Sequence, residues 1–218
     1  MKQPYENIYI GNFIFSLGHY SASAGNGLSN KAVQLVQQTP DEKKLNDLFV
    51  NWSGKNYIFE FKRNPDSIKT ELYKEPKRKL NQALNNSYNI EMRELADKGH
   101  FLGFGLNDGI GFISYSDVDK PLDRYCPLNK FCPALLKGSF GQTYDEFCRY
   151  IRFIEQSTES KSEGCGGFVL NISKDGDLNM LPFENVELLS KSLDVKADPP
   201  APTPPALSPY DDFSPGGW

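Results

Sequence analysis

Histidine is nearly absent from this 218-residue chain, with only His19 and His100 present. Two are too few for a typical histidine metal centre, and they leave little basis for a Ser-His or Cys-His nucleophilic mechanism. His100 heads the strand-like run Phe101 to Gly105, where a structural role is expected. Close cysteine pairs are missing as well. Cys126, Cys132, Cys148 and Cys165 are separated by five, fifteen and sixteen residues. That spacing lacks the Cys-x2-Cys pairs of common zinc sites, so reduced thiols are expected. No window approaches the ~18 consecutive apolar residues of a membrane span. Met1 to Glu6 shows no basic stretch leading into a smooth apolar run, so no signal peptide is read. The expectation is a cytoplasmic protein without membrane contact. Positive charge is not in excess either. There are 24 Lys and Arg against 28 Asp and Glu, for a net charge of −4. This argues against a nucleic-acid coat protein but leaves room for a local basic groove. Asn26-Gly27 reads as a turn rather than a phosphate loop, because no Gly-Lys-Ser/Thr follows it.

What is present fits one globular domain over 1–194. Hydrophobic content of 39% and charged content of 24% are ordinary for such a domain. Residues 5 to 20 are rich in Tyr, Ile and Phe, and periodicity leaves helix and strand open. Ser21 to Asn30 reads as a loop, Lys31 to Gln38 as helical, and Asp41 to Leu45 as a short helix. Helical segments are expected from about Ser67 to Lys98. Phe101–Leu106 and Ile110–Tyr115 flank Asn107-Asp108-Gly109 and read as a hairpin. The stretch 119–165 is less regular, except that Tyr144 to Gln156 carries an amphipathic helical stripe. Gly166–Ser173 and Leu178–Phe183 suggest a final hairpin. From 195 to 218 the composition changes, with seven of the fifteen prolines in the last twenty residues. A segment of this kind is expected to be a disordered tail. Within it, Tyr210-Asp211-Asp212-Phe213 and Trp218 form an acidic-aromatic stretch suited to docking on a protein partner.

The most chemically suggestive stretch is Asn46-Asp47-Leu48-Phe49-Val50-Asn51-Trp52, then Ser53-Gly54-Lys55, then Asn56 to Arg63. It reads as two apolar strands joined by a tight turn, with Asp47 opening the first. Along the second, Ile58, Glu60 and Lys62 share one face, and Tyr57, Phe59 and Phe61 the other. An antiparallel pairing would bring Asp47 towards Glu60 and Lys62. A charged pair in such an apolar run is costly to bury without compensation.

Asp47 followed by Glu60-Phe61-Lys62 resembles the signature of the PD-(D/E)xK nuclease superfamily, over roughly residues 26 to 115. Other Glu-x-Lys triplets occur, such as Glu75-Pro76-Lys77, but only this one ends an apolar strand. The resemblance implies an α/β (α+β) fold, a restriction-endonuclease-like mixed sheet flanked by helices. It implies a metal-dependent nuclease acting on DNA, with RNA as the alternative, in a setting such as restriction, anti-phage defence or repair. Asp47, Glu60 and the Phe61 carbonyl would hold Mg2+ or Mn2+, and Lys62 would orient the attacking water. Gln82, on the helix that follows, would complete the site.

Residues 62 to 79 carry seven basic side chains against Asp66, Glu71 and Glu75. Arg63, Lys69, Lys74, Lys77, Arg78 and Lys79 are therefore the expected phosphate-backbone contacts. The competing reading is a non-catalytic adaptor, in which the hairpin is scaffold and the 195–218 segment recruits a partner.

Overall fold

The computed structural model describes residues 5–23, 34–35, 54–122, 124–158, 167–174, 176–183, 186–187 and 189–190. The expected strand 46–52, Asp47 within it, the helix 41–45 and the 195–218 segment lie outside these. Helix α1 (Glu6–Ser23) comes first, followed by strands β1 (Gln34–Leu35) and β2 (Lys55–Lys62). Three helices, α2 (Pro65–Glu71), α3 (Glu75–Leu84) and α4 (Ile90–Gly99), then cross over to β3 (His100–Leu106). After these come β4 (Gly109–Ser114), β5 (Cys126–Pro127), α5 (Leu128–Leu136), α6 (Tyr144–Thr158), β6 (Gly167–Ile172) and β7 (Leu178–Phe183).

The strands form one seven-stranded mixed sheet in the order β1-β7-β6-β2-β3-β4-β5. β2 and β3 are parallel, as a helical crossover requires. β3–β4 and β6–β7 are the two expected hairpins. β2 differs from expectation in its neighbours. β6 pairs along Lys55–Phe59 on one side, and β3 along Ile58–Lys62 on the other. The backbone of Asn56 also exchanges hydrogen bonds with Gln142. A tight hairpin of β2 with 46–52 across Ser53-Gly54-Lys55 would need an edge that these partners already fill. At 34–35 the expected helix is replaced by a strand running parallel to β7.

Alternation along β2 explains the layering. Ile58 faces a core made with Ile68, Leu80, Leu84, Phe147, Ile151 and Ile154 of the crossover helices and α6. Tyr57, Phe59 and Phe61 face the opposite core, with Tyr9, Phe13 and Leu17 of α1 and Phe131 and Leu135 of α5. Helices thus cover both faces, which is why six consecutive β2 residues, from Asn56 to Phe61, are buried. On the α1 side the packing is rich in aromatic rings, with Phe112 and Phe131 stacked at 4.1 Å and Phe13 5.0 Å from Phe59.

The helix ends follow local chemistry. The Asn64 side chain caps α2 by accepting from the Ser67 N–H at 2.8 Å, with Pro65 at the first helical position. Pro76, which interrupts the basic segment, likewise sits in the first turn of α3 and starts that helix instead of breaking it.

Candidate functional site

Glu60 lies mid-sheet on the face covered by α3, α4 and α6, 5% exposed. The register Ile58↔His100 puts His100 on that same face. Lys77 reaches down from α3, where the i, i+3, i+7 spacing of Lys77, Leu80 and Leu84 makes one buried stripe. Its ammonium donates to Glu60 Oε1 in a buried ion pair. His100 Nε2 stands 3.4 Å from the same oxygen, close enough for attraction but short of a well-formed hydrogen bond. On its other side, His100 Nδ1 meets the Tyr150 hydroxyl at 2.9 Å. The His100 ring also stacks on Tyr115 at 4.2 Å, and the Lys77 ammonium lies 5.5 Å above that tyrosine.

These groups set one another's protonation. Burial alone would raise the Glu60 carboxyl, but the Lys77 charge, aided by His100 and Lys62, holds it well below the usual carboxylate range. Burial pushes His100 down, against the pull of Glu60, so the imidazole is neutral. Burial likewise pushes Tyr150 well up and keeps its hydroxyl protonated. One arrangement avoids opposing lone pairs. In it, Tyr150 O–H donates to Nδ1 and the Nε2–H faces the carboxylate. The cluster then carries one negative and one positive charge and no net charge. The free volume beside it is about 10 Å3, room for about one water, and Ile151, Ile154, Phe183 and Val186 enclose it.

Lys62 sits at the end of β2 on the same side as Glu60, half-buried. Gln82 does not join them. It follows Lys77 by five residues, about 140° around α3, and is exposed. Lys77 is the larger revision, because the side chain expected on a phosphate-binding surface is instead 4% exposed and paired with Glu60. The apolar stripe Lys77-Leu80-Leu84 is the sequence signal that would have placed it inward. The other expected cations do stay outside. Arg63, Lys69, Lys74 and Arg78 are exposed, and Lys79 is half-buried, 3.1 Å from Glu75. Lys69 stands 3.9 Å from Asp66. Aromatic rings lie among them. The Arg63 guanidinium lies 4.6 Å over the Tyr5 ring, and Tyr73 is 85% exposed between α2 and α3.

Among the described residues no three His, Cys, Asp or Glu side chains converge as a metal site. Among the described residues Glu60 is the one carboxylate at this point of the sheet, and its Oε1 accepts from the Lys77 ammonium, which supplies a compensating charge. Glu60 paired in this way is one of the two carboxylates expected around Mg2+ or Mn2+, and the other, Asp47, lies outside the described residues. No helix among the described residues is long and apolar enough to cross a membrane. Comparison with protein families, with curated proteins and with solved structures finds no match for this chain.

Proposed function

We propose that this protein binds nucleic acid along the surface made by the end of β2, α2 and α3, and that phosphodiester hydrolysis is the reaction this surface serves. The observation that carries binding is the run of exposed cations Arg63, Lys69, Lys74 and Arg78 with the exposed ring of Tyr73 among them. Cations hold the phosphate backbone by releasing counterions, and exposed aromatic rings stack on bases without needing a particular sequence. The sequence shows no base-reading motif, so the contact would be to backbone and stacked bases.

Hydrolysis rests on the likeness of Asp47 and Glu60-Phe61-Lys62 to the nuclease signature, with Glu60 and Lys62 on one face of one strand. DNA is the first substrate to test and RNA the second. A second reading, binding without cleavage, is favoured by the Lys77 ammonium seated on Glu60 in a space that admits about one water.

One experiment separates them. Salt-dependent binding and cleavage are measured on double-stranded DNA, single-stranded DNA and RNA, with Mg2+, Mn2+ or EDTA. Wild type runs beside Asp47→Asn and Lys62→Ala variants shown to be folded. Metal-dependent cutting lost in both variants supports the nuclease. Salt-sensitive binding with no cutting supports the second reading. Neither binding nor cutting rejects both and leaves the adaptor.

A further inference from the structure

On the far side of the sheet from β2's ion pair, a cleft of about 470 Å3 opens beside β4 and β5. Its volume falls within the ~300–1,000 Å3 of ligand-sized pockets. The floor is aromatic, made by Phe101, Phe112, Phe131 and Phe140. The rim is charged. Lys120 is ion-paired to Asp117, while Arg124 is exposed and has no ion-pair partner among the described residues. Among the described residues the rim thus sets Lys120 and Arg124 against Asp117 around an apolar base. β5 pairs β4 only at Gly111 and Phe112, so the cleft residues Ile113 and Ser114 lie beyond the paired part of that edge.

The chain itself contains the complementary chemistry. Tyr210-Asp211-Asp212-Phe213 and Trp218 offer three aromatic rings and two carboxylates within nine residues. We propose that this acidic-aromatic segment docks into the Phe101–Phe112–Phe131–Phe140 cleft of its own chain, rings on the floor and aspartates towards Arg124 and Lys120. The connection is long enough. Nineteen residues separate Ser190, the last described, from Tyr210. At full extension they reach about 60 Å. A fold of this size has a radius of gyration of only about 16 Å. Tethering also lowers the affinity required. At an effective concentration of about 1 mM, a contact of about 0.1 mM would be closed roughly nine-tenths of the time.

The test uses the full chain labelled with 5-fluorotryptophan, which gives one 19F resonance each for Trp52 and Trp218. The loss of one signal in Trp218→Phe assigns them. A docked Trp218 gives a broadened resonance shifted from the random-coil position and protected from acrylamide. In Arg124→Glu it moves towards the random-coil position, while an unchanged far-UV circular dichroism spectrum and Tm show that the fold is kept. High salt moves it the same way. A sharp random-coil Trp218 signal in wild type overturns the proposal, and so does a shifted signal that ignores Arg124→Glu. A shift that develops only as protein concentration rises assigns docking to a second copy, and it too overturns docking within one chain.

Discussion

Removing the Lys77 ammonium should destabilise the protein far more than any surface substitution. In Lys77→Met the apolar stem stays in place and the Glu60 carboxylate is left buried without its partner. Breaking a buried pair from one side costs about 3–5 kcal/mol, because the remaining charge keeps its desolvation penalty. With a urea m-value of about 2 kcal/mol/M, the unfolding midpoint should fall by about 1.5–2.5 M. Replacing both partners, Glu60→Leu with Lys77→Met, should recover most of the loss, since no buried charge remains. The pH dependence separates the mechanism from a simple packing defect. In wild type the Glu60 carboxyl is held below its unfolded value, so its contribution is present above about pH 4.5 and is lost as pH falls towards the folded value. In Lys77→Met, burial is no longer opposed by Lys77 and drives that carboxyl upward. The penalty should then shrink as pH falls, opposite in sign to wild type. Urea titrations of the three proteins at several pH values read both quantities. A single-variant loss below about 1 kcal/mol, or equal pH slopes for wild type and Lys77→Met, would refute the buried pair.

His100 is neutral in the folded protein and held below its ordinary value near 6.5. Its contribution is therefore complete above about pH 6.5 and declines as pH falls towards the folded value. His100→Phe should flatten this limb of Tm against pH, and an unchanged limb would assign it elsewhere. Tyr150→Phe removes the hydroxyl 2.9 Å from His100 Nδ1 and leaves a buried acceptor unpaired. It should cost about 1–3 kcal/mol by chemical denaturation. Gly54 has φ of +108°, and an added Cβ would meet the Ile172 carbonyl oxygen at 2.1 Å. Gly54→Ala should thus destabilise by more than about 1 kcal/mol by the same measurement, and a neutral effect would contradict this turn into β2. On the proposed nucleic-acid surface, Arg78→Ala should reduce the salt slope of binding by about 0.9 on duplex or about 0.7 on single strands. Tyr73→Ala should weaken single-strand binding by about 1–3 kcal/mol; fluorescence anisotropy over a salt series checks both.

Local pattern made the helices and hairpins of the second half readable. The Asn107-Asp108-Gly109 turn, the Tyr144–Gln156 stripe and the strands around 174–177 all reappear within a few residues of where periodicity puts them. The alternation of β2 was legible too, with Tyr57, Phe59 and Phe61 facing one core and Ile58 and Glu60 the other. What was not legible is which strand lies beside which. A Ser-Gly-Lys turn points to a sequence-local hairpin, whereas β2 takes β6, more than a hundred residues later, along Lys55–Phe59. Such pairing is decided by burial of both sheet faces at once, and a local turn signal does not contain it. Helix α5 over Leu128–Leu136 was missed for a related reason. Pro133 lies inside it, and its apolar face is defined only by contact with α1 and the Phe cluster.

The same limit governs the reading of Glu60-Phe61-Lys62. A triplet names one lysine for one carboxylate, and period-two geometry duly puts Lys62 on the face of Glu60. The crossover helix then delivers a second lysine from seventeen residues away, and it is this one that makes the ion pair. Burial decides between them. Lys62 ends the strand half-buried, a position from which a long stem can carry its charge towards water. Lys77 is fixed by Leu80 and Leu84 on an inward stripe, where its ammonium meets the buried Glu60 carboxylate. Each charge therefore makes the other tolerable, and together they specify where α3 sits along β2. A helix shifted by one turn, about 5.4 Å, would leave both charges buried and unpaired. The charged residue most suggestive of chemistry in the sequence thereby acquires a structural task. Any reaction at Glu60 must proceed with the position of α3 depending on that same carboxylate.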